Sequence, residues 1–201
     1  MRWTNIFGRL RRPITCFASV AVVVGSAMPI GQIDAIASAR TPTVQRVVAT
    51  PIPIPVFTPV RLEIAKIGVD NPIVPVGTLQ SGKMEAPKTA EDVGWWRGRK
   101  VGEGNVLLDG HRDWSGALGS FYRLKELQPG DTFSLRGKNG EKATYRIVWL
   151  KKFDRNIDAT DLLGNKTKAQ LATLITCEGV FDPSAGTAPE RMVARAELVT
   201  A

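Results

Sequence analysis

From Val60 onward the chain is a succession of short strand-like runs broken by Gly and Pro, and this pattern most limits the folds open to it. Val60–Ile64, Ile73–Val76, Asn105–Asp109, Thr132–Leu135, Ala143–Lys151, Leu171–Cys177 and Arg191–Val199 read as strands. A turn-rich stretch, Gly68 to Pro72, separates the first two. Gly119–Leu127 reads as a short helix or turn stopped by Pro129-Gly130, and Asp158–Leu163 with Lys166–Leu171 as a further short helix. Many short strands, few helices and Gly/Pro turns predict a mainly β domain, a closed or nearly closed β-barrel. Hydrophobic content of 43% and charge of 23% suit such a core.

The N-terminal third is different. Arg2, Arg9, Arg11 and Arg12 precede a run from Pro13 to Ile33 with no charged residue. Roughly 20 apolar residues match what a helix needs to cross a bilayer, and basic residues before it hold that end in the cytoplasm. We expect residues 1–39 to form a cytoplasmic basic stretch and a single-pass transmembrane signal-anchor. A cleaved signal peptide is the alternative, since Ala37-Ser38-Ala39 resembles a cleavage site. Either reading puts the body outside the cytoplasm, the first on the cell membrane. Residues 40–59 carry Pro42, Pro51, Pro53, Pro55 and Pro59 and read as an extended linker. Residues 60–201 are then the folded β domain.

The net charge of +8 divides into +4 on residues 1–40, from five Arg and one Asp, and +4 on residues 41–201, from 22 basic and 18 acidic residues. The body is only mildly basic and shows no basic stripe interleaved with aromatics, which argues against nucleic acid as a partner. One histidine and two cysteines, without paired Cys-x-x-Cys spacing, argue against a zinc site. Glu91-Asp92 and Asp109–Asp113 lack the spacing of a calcium loop. No cofactor and no metal are expected.

The candidate chemistry lies at strand ends. His111 follows Asn105–Gly110, and Cys177 ends Leu171–Thr176. A thiol becomes a nucleophile as the thiolate, which a nearby imidazole or cation favours. Arg191–Leu198 alternates, with Met192, Ala194, Ala196 and Leu198 on an apolar face, Arg191, Arg195 and Glu197 on the other, and Val193 as the exception. If strands 171–177 and 191–198 pair antiparallel, Arg191 sits beside Cys177, and Arg195 lies about 13 Å further along. Arg195 reads as a surface charge. Trp95, Trp96 and Trp114 read as loop anchors, or as walls of a peptide groove. Asp113 is a candidate to orient His111.

Thr-Leu-Ile-Thr-Cys (173–177), Gly-His (110–111) and Arg-Met-Val (191–193), in the order His, Cys, Arg, resemble the motifs of sortases. The likeness extends over about residues 60–199, including Arg61–Val69 and Phe121–Asp131. The loop Glu178–Gly186 is most similar to the class F branch, with class E or D as alternatives, although Asp109 stands where a small residue is expected and Glu178 where Gly is. The resemblance implies a sortase β-barrel and a sorting-signal peptide of the LPXTG kind as substrate. It implies that Cys177 attacks the Thr–Gly carbonyl, that His111 shuttles the proton, and that Arg191 with a backbone N–H near Glu178 stabilises the oxyanion. Thr176 and Glu178 are candidate substrate contacts. An amine, such as that of a cell-wall precursor, would accept the acyl group. Two other readings compete: a different extracytoplasmic cysteine peptidase, or a membrane-tethered, non-catalytic β-domain that binds ligands. The first would be expected to carry a Ser-His-Gly-Cys-like stretch, or Cys before His, and neither is present.

Overall fold

In a computed structural model the described residues are 55–157, Leu162 and 169–200. They lie within the second of two units into which the chain divides, Thr50–Ala201. The expected signal-anchor, most of the linker and the helix expected over 158–171 fall largely outside the described residues.

Among the described residues ten strands are formed: β1 (Pro59–Ile64), β2 (Val69–Val76), β3 (Val93–Trp96), β4 (Asn105–Gly110), β5 (Asp113–Trp114), β6 (Ala117–Leu118), β7 (Thr132–Gly137), β8 (Lys142–Asp154), β9 (Leu171–Glu178) and β10 (Glu190–Thr200). Eight close into a barrel in the order β1-β2-β3-β4-β9-β10-β8-β7, and β5 and β6 form a separate hairpin. Closure leaves the barrel itself without a free edge. The hairpin turns on Ser115 and Gly116, both at positive φ (50° and 83°), as a two-residue turn with the native twist demands.

The alternation read from the sequence sets what lies inside. Val106 and Leu108 of β4, Ala172 and Leu174 of β9, and Met192, Ala194 and Ala196 of β10 join the core. Small alanines on β9 and β10 sit in the same cluster as Phe133 and Tyr145, whose rings stack at 5.4 Å. Small against large fills a barrel interior without voids. Phe121, Leu124 and Leu127, from the segment after the hairpin, complete this core, and Leu124–Glu126 is one 3₁₀ turn.

Two expectations are corrected. Val69–Pro72 is not a turn. A 3₁₀ turn, Ala65–Ile67, and Gly68 at φ 71° reverse the chain earlier, and 69–72 then pairs with β1 while 73–76 pairs with β3. Each half of β2 bonds on one side only in this pairing, which is how it tolerates Pro72 and Pro75. Trp95 and Trp96 are not loop anchors but belong to β3, and Trp95 is buried in the core. Their flanking glycines hid the strand, because Gly94 reads as a turn residue yet leaves room for the Asp109 side chain across the strand pair.

Leu174 is wholly buried on β9, three residues before Cys177. Leu174→Ala removes a buried side chain from a closed barrel and is expected to cost about 2–5 kcal/mol, read as a lowered midpoint in denaturant unfolding. A cost below about 1 kcal/mol would mean that the barrel interior is not packed as described.

Candidate active site

The two strand pairings that flank β9 build the site. β4 and β9 run parallel, with Leu107 opposite Thr173 and Asp109 opposite Ile175. Continued by two residues, the same register sets His111 beside Cys177. β9 and β10 run antiparallel, with Cys177 opposite Arg191, Ile175 opposite Val193 and Thr173 opposite Arg195. The predicted antiparallel pairing is therefore found, with Arg191 next to Cys177. Because Leu108, Leu174 and Met192 point inward, their odd-numbered neighbours form rows across the outer face. The first row is His111, Cys177 and Arg191, and the second is Asp109, Ile175 and Val193. The third is Leu107, Thr173 and Arg195.

The first row is half-exposed, as are Asp109 and Ile175, whereas the whole third row is buried. Leu162 covers that end. Its carbonyl accepts from Asn105 Nδ2 (2.8 Å) and from Arg195 Nη2 (2.7 Å). Arg195 is thus not a surface charge. It is 8% exposed, stacks over Trp149 at 5.3 Å, and burial lowers its pKa. Nothing in the strand pattern announces this, because the covering segment arrives from elsewhere in the chain.

His111 lies one residue past β4 and is held on every side. The Gly110 carbonyl accepts from Thr176 Oγ1 at 2.7 Å, and the His111 carbonyl from the Phe121 N–H at 2.9 Å. Gly119 is needed here, since a Cβ on it would collide with the His111 backbone. The imidazole stacks on Trp114 with centroids 4.4 Å apart. Its Nε2 lies 2.8 Å from the Pro87 carbonyl. A carbonyl only accepts, so Nε2 carries a proton and Nδ1 is left to exchange one. Asp113 does not orient this ring; its carboxylate pairs with Arg112 Nε at 2.6 Å.

Cys177 Sγ lies 3.8 Å from Thr187 Oγ1. Arg191 is fixed by three acceptors, the Ala188 carbonyl (3.0 Å), the Glu190 carbonyl (2.9 Å) and Thr187 Oγ1 (3.0 Å). The structure therefore sets Cys177 opposite Arg191, and the β4–β9 register carried past Asp109 puts His111 on the same face. Thr176 and Glu178 point to the other face of β9. Thr176 is buried with its hydroxyl on Gly110, and Glu178 is 9% exposed, with Lys152 Nζ at 3.5 Å.

The sequence reading did not single out Thr187 or Pro87, since both sit in loops whose path it could not trace. The hairpin that carries Trp114 to the imidazole had a signal, the Ser115-Gly116 turn. Asp109 is the anomaly of the second row. Its Oδ1 is buried without a hydrogen-bond partner, and Ile175 and Gly94 are its strand neighbours. Burial raises its pKa to about 8.

Comparison with known proteins identifies the family and the fold. A sequence model of the sortase domain matches residues 62–199. The solved structure of sortase C-1 from Actinomyces oris is similar at 25% identity and TM-score 0.55, over 75% of this chain and 77% of that one. Sortase A from Listeria monocytogenes shares the fold at 21% identity and TM-score 0.55, over 71% and 88%. Sortase A from Corynebacterium diphtheriae does so at 22% and 0.53, over 74% and 62%. A search of curated protein sequences gives no match.

Asp109 keeps its proton in the folded protein up to about pH 8, while an unfolded aspartate has lost it above about pH 4. The folded state holds the extra proton across that window, so this residue lowers stability as pH rises from about 4 to about 8. Asp109→Ala is expected to melt higher than the parent at pH 8–9, by several degrees, with the gap shrinking toward pH 4–5. Thermal melts across pH check it, and a gap that is flat or widens toward acid would refute the buried neutral carboxyl.

Proposed function

The chain belongs to the sortase family of cysteine transpeptidases, and we propose that it cleaves an LPXTG-like sorting signal between Thr and Gly and joins the new acyl end to an amine at the cell surface. The observation that carries this reading is the cross-strand pairing of Cys177 with Arg191, with His111 two residues past Asp109, the β4 residue that faces Ile175. In this mechanism the Cys177 thiolate attacks the Thr–Gly carbonyl. Arg191 and a backbone N–H near Glu178 stabilise the oxyanion, the kind of electrostatic help that usually dominates acyl transfer. The C–N bond breaks, His111 gives its proton to the departing amine, and a thioester remains on Cys177. An incoming amine then attacks the thioester, loses a proton to His111 and releases the enzyme. The side chains of Thr176 and Glu178 point away from Cys177, so Thr176 acts through the Gly110 carbonyl that precedes His111.

The half-exposed first row, with Asp109 and Ile175 of the second, is a floor about two residues deep, which supports an extended peptide as the acyl donor. Val180 and Phe181, 86% and 55% exposed just after Cys177, and Leu118, 65% exposed on the hairpin, give this region an apolar rim. The loop after Cys177 favours the class F branch by resemblance. The charge-free run after four arginines supports a single-pass anchor in the cell membrane with the barrel outside. Protease added to intact cells is expected to digest the barrel and spare residues 1–12; a barrel free in the cytoplasm would refute that placement.

The test of activity uses purified protein and sorting-signal peptides, followed by mass spectrometry. Cys177→Ala is expected to abolish cleavage and the thioester adduct, and Arg191→Ala to lower kcat/KM by about 100- to 1,000-fold. Arg195→Ala should act chiefly by lowering the melting temperature, because its guanidinium is buried against Leu162. Equal kinetic losses from the two arginines would sink the oxyanion role of Arg191. Millimolar hydroxylamine or a glycine peptide is expected to divert the product from free acid to hydroxamate or amide. A product that stays wholly free acid identifies a signal-specific cysteine peptidase, and no cleavage at all identifies a non-catalytic binding domain.

A further inference from the structure

Arg191 and Cys177 are register partners, yet the guanidinium reaches the thiol through a third residue. Arg191 Nη2 lies 3.0 Å from Thr187 Oγ1, and that oxygen lies 3.8 Å from Cys177 Sγ. Chemistry fixes the direction of the first of these bonds. A guanidinium has donors and no acceptor, so Thr187 must accept from Arg191. Its single O–H is then free to turn toward sulfur. Sulfur that receives this donor is better served as thiolate than as thiol, since a charged acceptor makes the stronger bond. A donor upstream polarises the hydroxyl and strengthens the next bond in the chain.

Thr187 is held for this task. Its backbone exchanges both hydrogen bonds with Asp182, N–H to carbonyl at 3.0 and 3.3 Å in the two directions. Asp182 Oδ1 in turn accepts from the Ser184 N–H (2.9 Å), the Ser184 hydroxyl (2.6 Å) and the Ala185 N–H (3.3 Å). Gly186 at φ 64° turns the chain back. The next residue, Ala188, is 4% exposed and anchors the far side of the turn. The turn 182–187 is therefore a built support that sets one hydroxyl between a cation and the nucleophile.

We propose that Thr187 is a further catalytic residue, whose hydroxyl accepts from Arg191 and donates to Cys177 Sγ, so that the charge of Arg191 stabilises the thiolate at one remove. The relay deepens the sortase reading of the same site and rests on it for the use made of the thiolate. No covalent bond is made or broken at Thr187, and the thiol proton leaves to His111 or to solvent. One arginine thereby serves two ends, the resting thiolate through Thr187 and the oxyanion through its remaining N–H groups.

The test is the pH dependence of alkylation of Cys177 by iodoacetamide in the full chain. It is read by mass spectrometry on the peptide carrying Cys177, so that Cys16 does not contribute. Alkylation needs no sorting signal, so failure of the relay and failure of the transpeptidase reading are separate results. Thr187→Val keeps the shape and removes the hydroxyl. It is expected to slow alkylation at pH 7 by about tenfold, as loss of one charge-assisted hydrogen bond implies, and to move the profile to higher pH. At pH 10 the variant and the parent should react alike, which a change in access alone would not give. Thr187→Ser, which keeps the donor, should restore the parent profile. The relay is overturned if Thr187→Val reacts like the parent or faster at pH 7, if its deficit persists unchanged at pH 10, or if Thr187→Ser is slowed as much as Thr187→Val.

Discussion

The parallel pairing of β4 with β9 is the constraint on which the rest depends. Residues 105–109 and 171–175 are more than sixty positions apart, and their ladder is one of the seams that close the barrel. Without it Cys177 and His111 end two unrelated strands. With it, the residue after β4 and the penultimate residue of β9 emerge side by side on the outer face. The neighbouring antiparallel ladder then adds Arg191 by register alone. Contacts of such long range are costly to form early, because the loop between them must close before the pairing stabilises anything. The site is therefore complete only when the barrel is.

That dependence explains where polar groups are tolerated. The Thr176 hydroxyl crosses the β4–β9 seam to the Gly110 carbonyl, and Thr173 donates to Asn105 Oδ1 across the same seam at 2.9 Å. Both threonines are buried, and each hydroxyl is satisfied by the strand it must stay beside. Two side-chain bonds thus reinforce the ladder between the nucleophile's strand and the histidine's. Asp109 lies on the same seam with an unpartnered oxygen, and this is the least comfortable position in the fold. Its discomfort falls one row below the reacting atoms, in the part of the outer face that Leu162 leaves open.

How much of this could be read in advance follows from where the information sits. Short strand-like runs between Gly and Pro turns marked most barrel strands, and the supposed antiparallel pairing of 171–177 with 191–198 set Arg191, rather than Arg195, opposite Cys177. The pattern failed where one residue carries two meanings. Gly94 reads as a turn but sits in β3, where it leaves room for Asp109. Pro72 reads as part of a turn but sits in a strand bonded by halves. Arg195 alternates onto the face that water would be expected to wet, and only the arrival of Leu162 buries it. Thr176, beside the nucleophile in sequence, looked like a substrate contact, but a strand turns alternate side chains to opposite faces, and its hydroxyl bonds Gly110. Loop residues gave the weakest signal, since Pro87 and Thr187 matter for where their loops return rather than for the residues beside them.

The division of labour between strands and loops has a consequence for the chemistry. Strands hold Cys177 and Arg191, so the distance between thiol and guanidinium is set by a ladder that cannot drift without opening the barrel. Loops and the small hairpin hold the groups around them: Pro87 fixes the proton on Nε2 of His111, Trp114 of the hairpin covers the imidazole, and Thr187 stands between sulfur and guanidinium. Loop positions change with little cost to the core. A barrel of this kind can therefore keep its acyl-transfer geometry while the basicity of its histidine and the readiness of its thiol are adjusted from outside. The negatively charged Glu178, turned to the far face and neighboured by Lys152, fits that scheme. Its carboxylate faces a lysine on the far side of the strand rather than the Cys177 thiol.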